Sequence, residues 1–193
     1  MNKIVAVVGM AGSGKSTVSD MLVKKGFGYL RFGQITIDEI KNRGLELNEQ
    51  NERMVRHELR QQYGMAAYAK LNILKLEELQ TEGNVVADGL YSWEEYLELK
   101  NSFKEQLITL AVYSSPKTRY ERLEARSHDP KKDKDARFRP TTVDESKSRD
   151  KHEIEELNKG GPIAMADYTI INESSTEDLE QEIELFLERM ELK

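Results

Sequence analysis

Near the start of the chain, Gly9-Met10-Ala11-Gly12-Ser13-Gly14-Lys15-Ser16 sets three glycines, a lysine and a hydroxyl at the spacing G-x-x-x-x-G-K-[ST], directly behind the apolar run Ile4 to Val8. This is chemistry for holding a polyphosphate. Glycine lets the backbone curl so that successive N–H groups converge on one anion, and a side chain at Gly9, Gly12 or Gly14 would obstruct the curl or the approaching phosphate. A helix opening at Lys15 would turn its positive dipole end toward the same anion. Lys15 then supplies a mobile charge for β- and γ-phosphates, and the Ser16 hydroxyl is placed to ligate Mg²⁺. Gly9, Gly12, Ser13, Gly14, Lys15, Ser16 and Thr17 are the candidate nucleotide-binding residues.

Three further groups could act beside them. Asp88 ends the run Val85-Val86-Ala87-Asp88, at the strand end where open α/β sheets place their ligands. It could hold Mg²⁺ through water, orient an attacking hydroxyl, or simply bond a turn, and Gly89 lets the backbone leave without crowding a substrate. Arg122 and Arg126 are four apart and share one helix face, with Arg119 a turn earlier and Arg149 farther along the chain. Such guanidinium groups stabilise the charge spread over a transferring phosphoryl group, or pair with neighbouring glutamates at the surface. Between Asp129 and Arg139 lie five basic and three acidic side chains, a local charge of +2 on a chain whose total is −6. That segment reads as a solvated surface loop or as a lid over about 127–142 that carries arginine to the phosphates.

The elements that must hold these groups alternate. Strands are expected at Ile4 to Val8, Gly28 to Phe32, Val85 to Asp88, Gln106 to Tyr113 and Tyr168 to Ile171. Helical patterns fall at Lys15 to Lys25, Ile35 to Asn42, from Asn48 to a break at Gly64, Ala66 to Leu79, Trp93 to Lys100, Pro116 to Arg126, Val143 to Lys159 and Thr176 to Met190. The alternation predicts an α/β fold, a parallel sheet with helices on both faces. At 193 residues this is one domain. With 29 basic against 35 acidic side chains, a general nucleic-acid or anionic-membrane partner is disfavoured. No cysteine is present, so disulfides and thiolate metal sites are excluded. The first apolar run is shorter than a secretory core, and the expectation is a cytoplasmic protein.

In this order the parts resemble the P-loop nucleoside-monophosphate kinase superfamily, most closely the archaeal-type adenylate-kinase-related and dephospho-CoA-kinase-like nucleotide kinases. Arg43-Gly44-Leu45, Glu58-Leu59-Arg60, Tyr63-Gly64-Met65, Ser92 to Glu95, Arg149-Asp150 with Glu153, and Ala166-Asp167-Tyr168 leading to Ile171-Asn172 carry the resemblance beyond the loop. It implies a five-stranded sheet of order 2-3-1-4-5, a helical acceptor insert at about 33–82, and ATP with Mg²⁺ as cofactors. It also implies phosphate and metal roles for Lys15 and Ser16, the strand-end acid role for Asp88, transfer-site roles for Arg122, Arg126 and Arg149, and a place beside adenine for Asn172. The implied activity is transfer of the γ-phosphoryl group to a small nucleotide-like acceptor, with an ATP-binding regulatory switch as the alternative. The chain departs from the pattern at Gln34, Ile37 and Tyr91, where such kinases carry an Asp and anion-binding arginines. Arg60, Gly89 and Tyr91 remain as acceptor-side candidates, with Arg31, Arg53 and Arg56 as possible substitutes.

Overall fold

β1 (Ile4–Val8) is wholly buried because it is the middle strand of its sheet and both of its faces are covered. In the computed structural model, which describes residues 1–126 and 140–192, five parallel strands run in the order β2-β3-β1-β4-β5. The others are β2 (Gly28–Arg31), β3 (Val85–Asp88), β4 (Leu107–Tyr113) and β5 (Tyr168–Ile171). Alternate residues feed two cores. Ile4, Ala6 and Val8 face Tyr68 and Leu76 of α4 (Ala67–Glu82) and Tyr96 and Leu99 of α5 (Trp93–Phe103). Val5 and Val7 face Val18 and Leu22 of α1 (Lys15–Lys24) and Ile183 and Phe186 of α9 (Thr176–Arg189). No helix among the described residues is long and apolar enough to cross a membrane.

The remaining helices are α2 (Gln34–Asn42), α3 (Glu49–Tyr63), α6 (Pro116–Glu124), α7 (Val143–Glu155) and α8 (Gly160–Ala164). Local chemistry sets their ends. The Asn48 side chain accepts from Asn51 N–H to start α3, and Gly64 at φ +82° separates α3 from α4. Ser92 with Glu95, Thr142 with Glu145, and Ser175 with Asp178 form capping boxes on α5, α7 and α9. The expected helix from Val143 to Lys159 stops at Glu155, because Asn158 turns at φ +49° and Lys159 N–H bonds back to Glu153 O at 3.1 Å, and α8 starts only at Gly160. α6 likewise stops at Glu124, short of Arg126.

Parallel pairing puts the chemistry at one end. Val7 lies opposite both Asp88 and Leu110, so the β1 exit, the β3 carboxylate and the β4 end share one edge of the sheet. Most of the expected lid, residues 127–139, lies outside the described residues. Its flanks are joined: Thr141 N–H donates to Leu123 O at 3.3 Å, and α6 packs against α7.

Candidate active site

The loop between β1 and α1 needs its glycines for a reason the sequence gives only in part. Gly9, Gly12 and Gly14 adopt φ of +144°, +80° and +99°. A Cβ on them would meet Val112 O at 2.4 Å, Arg119 O at 2.6 Å and Asn172 Nδ2 at 2.1 Å. The loop therefore rests directly on β4, α6 and the residue that follows β5. α1 starts at Gly14 with no side-chain cap, unlike α5, α7 and α9, so its first N–H groups keep their capacity for a ligand.

Beneath the loop runs a polar frame. Asn172 Nδ2, expected beside a base, donates to Ser13 O at 2.9 Å, and Arg122 Nη1 donates to Asn172 O and to Ser114 Oγ, each at 3.0 Å. Arg119 is 4% exposed. Its Nη1 donates to Ala11 O at 3.0 Å, its Nε to Ser114 O at 3.2 Å, and its Nη1 and Nη2 grip the Asp150 carboxylate at 3.1 and 2.6 Å. Arg119 thus ties the loop to α7. Arg126 is the last described residue before 127.

Above the loop, charges converge. Lys15 Nζ donates to Met10 O at 2.9 Å. Burial lowers its ammonium to about 7, and the charges of Lys159 and Arg149 add to this while Glu153 and Asp88 oppose it. Asp88 Oδ2 accepts from the Tyr29 hydroxyl at 2.9 Å. Lys159 Nζ donates to Glu153 Oε2 at 2.6 Å and lies 4.5 Å from the centroid of the Tyr91 ring. Arg149 Nε donates to the other oxygen of Glu153 at 2.9 Å. Burial alone would raise the Glu153 carboxyl, but Lys159 and Arg149 outweigh it and hold it well below the carboxylate range. Burial disfavours the Arg149 charge too, and Glu153 more than compensates, so this guanidinium stays charged. Its side chain is nonetheless 46% open to solvent.

Beyond the end of β3, where acceptor-side residues were expected, Gly89 turns at φ +95° under the Tyr91 ring. Glu95 is fully buried, with Oε2 accepting from Tyr91 N–H at 2.9 Å and Oε1 lacking a partner among the described residues. The Arg60 guanidinium lies 5.7 Å from the Tyr68 ring centroid, and its Nε is also unpartnered among the described residues. The possible substitutes differ: Arg56 is bound by Glu49 and Glu52, Arg53 is exposed on α3, and Arg31 is half-buried at the end of β2. Gln34 bonds to Asp38 within α2, and Ile37 is buried.

Burial raises the Glu95 carboxyl to about 7, partly offset by the Tyr91 and Ser92 N–H groups and the Arg60 charge. Because the folded value lies above the unfolded one, Glu95 contributes its full stability below about 4.5, and this is lost as pH rises through about 7. Melting temperature should therefore fall between pH 5 and pH 8 in the wild type by more than in Glu95→Gln, which keeps an oxygen for the cap. The shift corresponds to about 3 kcal/mol, and equal pH slopes in thermal melts would contradict it.

The structure brings the loop, Asp88, Gly89, Tyr91, Arg122, Arg149 and Asn172 to one end of the sheet. Sequence reasoning passed over Lys159 and the linking roles of Glu153 and Arg119. In the sequence Glu153 stands in a motif and as a glutamate that could screen the arginines, and nothing near Lys159 signals burial. For Mg²⁺, no group of three or more metal-ligating side chains occurs among the described residues. Ser16 and Asp88 with phosphate oxygens and water match the way Mg²⁺ is commonly held.

A family model described as an AAA domain matches residues 5–157. A UPF0200 protein of Thermococcus gammatolerans is 37% identical over 190 residues, spanning 97% of this chain and 95% of its own. Among solved structures, TT1252 from Thermus thermophilus superposes with TM-score 0.65 at 22% identity, covering 100% of this chain and 98% of that one. Shikimate kinase from Acinetobacter baumannii, in complex with shikimate, gives 0.57 at 18% identity, covering 100% and 97%. These two likenesses are of fold: a P-loop kinase-like sheet with the observed strand order.

Proposed function

The chain belongs to the AAA domain family and to the group of UPF0200 proteins, and from that premise we propose that it is a Mg·ATP-dependent phosphotransferase acting on a small, nucleotide-like acceptor. The observation that carries this reading is the gathering of Lys15, Lys159 and Arg149 at the uncapped start of α1. Three cations face Glu153 and Asp88, and the excess charge suits a polyphosphate. The fold's likeness to a shikimate kinase is consistent with a small-molecule acceptor.

In this reading the glycine loop and the first turn of α1 bind the phosphates, and Lys15 neutralises charge on the β- and γ-groups. Mg²⁺, held by Ser16 and Asp88, would supply charge neutralisation across the phosphate oxygens. Arg149, with Arg122 and Arg126, meets the charge that develops during transfer, and Asn172 keeps the loop in place. Arg60, Gly89 and Tyr91 line the acceptor side. Asp88 orients the attacking hydroxyl or holds the metal. No covalent step falls to the protein; positioning and charge do the work.

The test is an ADP-release screen with nucleoside monophosphates, deoxynucleotides, dephospho-CoA and shikimate, alongside calorimetry of Mg·ATP. One acceptor should accelerate ADP release at least about tenfold over hydrolysis, since a bound, oriented acceptor outcompetes water. Slow hydrolysis unchanged by every acceptor would favour an ATP-binding switch. Absence of any heat with millimolar nucleotide would reject both readings.

A further inference from the structure

Lys159 sits where two parts of the site meet, and its environment is built rather than incidental. Its side chain is 1% exposed. Gly161, two residues on, lies so close to Trp93 that an added Cβ would be 2.6 Å from the indole, which pins the start of α8 to α5. The Lys159 backbone bonds to Glu153 O, its ammonium bonds to Glu153 Oε2, and the Tyr91 ring covers it. Among the described residues, Arg149 spends only Nε on Glu153, so the Nη edge of its guanidinium is unspent.

Charge arithmetic gives this array a purpose. Arg149 and Glu153 alone would be a neutral pair, with the guanidinium cancelled and both carboxylate oxygens turned toward it in the bidentate manner such pairs prefer. With Lys159 on one oxygen, Glu153 offers Arg149 only the other. The array then carries a net +1, and that charge resides on its most solvent-open member, Arg149.

We propose that Lys159 is a positioning residue for phosphoryl transfer: by occupying one oxygen of Glu153 it leaves the Nη edge of Arg149 unneutralised and aimed at the transferred group, while its contact with the Tyr91 ring fixes the wall beside Gly89. This inference rests on the phosphotransferase reading above. It assigns Lys159 no contact with substrate.

The experiment uses the full chain with Mg·ATP as the probe, measuring the affinity by calorimetry and the single-turnover rate of ADP formation. Lys159→Met should slow the chemical step at least about tenfold, and by clearly more than it weakens ATP binding, because the aim of Arg149 matters most in the transition state. Lys159→Arg should restore most of the rate. The decisive variant is Lys159→Met with Glu153→Gln: removing the carboxylate charge releases Arg149, so the double variant should turn over faster than Lys159→Met alone. The double variant also removes both buried charges together, which folds better than leaving one unpaired. An unchanged rate in Lys159→Met, or a double variant as slow as or slower than Lys159→Met, overturns the proposal. If the wild type itself neither binds nor hydrolyses ATP, the phosphotransferase reading fails and takes this inference with it. A wild type that turns over while the variants disobey the pattern rejects this inference alone.

Discussion

Replacing Lys15 with methionine should reduce ADP formation by at least about a hundredfold, the loss typical of removing one charge-stabilising donor from a transfer site. The stem of the side chain is kept, so the fold should be retained. The same substitution should make the nucleotide-free protein melt higher near neutral pH. Lys15 is lowered from 10.5 to about 7 in the fold, chiefly by burial and then by Lys159. For a cation with a depressed folded value, the penalty is complete below about 7 and disappears as pH rises toward 10.5. Melts at pH 6.5 should show the variant roughly 2 °C or more above the wild type, with solvent access and the lost Met10 hydrogen bond reducing the gain. At pH 10.5 the advantage should be gone. Turnover within a few-fold of wild type would remove Lys15 from the site.

The second large effect is expected away from the substrate. Arg119→Met leaves the Asp150 carboxylate buried with the Tyr120 hydroxyl at 2.9 Å but no cation. Breaking a buried pair from one side costs about 3–5 kcal/mol, which for a chain of this size is a fall in Tm on the order of 10 °C. ATP affinity should drop as well, since Ala11 O loses its donor and the loop loses its link to α7. Asp150→Asn should destabilise in the same direction. Combining Arg119→Met with Asp150→Leu should recover much of the Tm but not the ATP affinity, because the double change removes the unpaired charge without restoring the tie to Ala11. Calorimetry and melts on the three variants check this. A single variant within about 2 °C of wild type would mean that the pair contributes little.

How far the site could be read from the chain depended on whether each residue's reason was local. The loop was legible because its glycines, the apolar run before it and Lys15-Ser16 are contiguous, and β3 because Gly83-Asn84 turns directly into Val85 to Asp88. The strand order came with the resemblance and matches the observed sheet. Boundaries slipped where long-range contacts decide. α7 ends at Glu155 since Lys159 folds back on Glu153, a bond that neighbouring sequence does not announce. Lys159 follows a run rich in glutamate and lysine, and such a run reads as a solvated face. Its burial comes from Tyr91 and from the Trp93 contact with Gly161, both distant in sequence. Arg119 looked like one more arginine on a helix; only the docking of α6 on the loop and on α7 makes it a tie.

The seat of the glycine loop has a consequence for the order of synthesis. Its floor is made by Val112, Arg119 and Asn172, which are translated long after Gly9 to Ser16. A nascent chain stalled before β5 emerges carries the complete eight-residue motif without Asn172, the residue that closes its floor beneath Gly14 and bonds Ser13. Nucleotide capture should therefore switch on late during elongation, when the fifth strand reaches its place, and the motif by itself is no measure of a competent fragment.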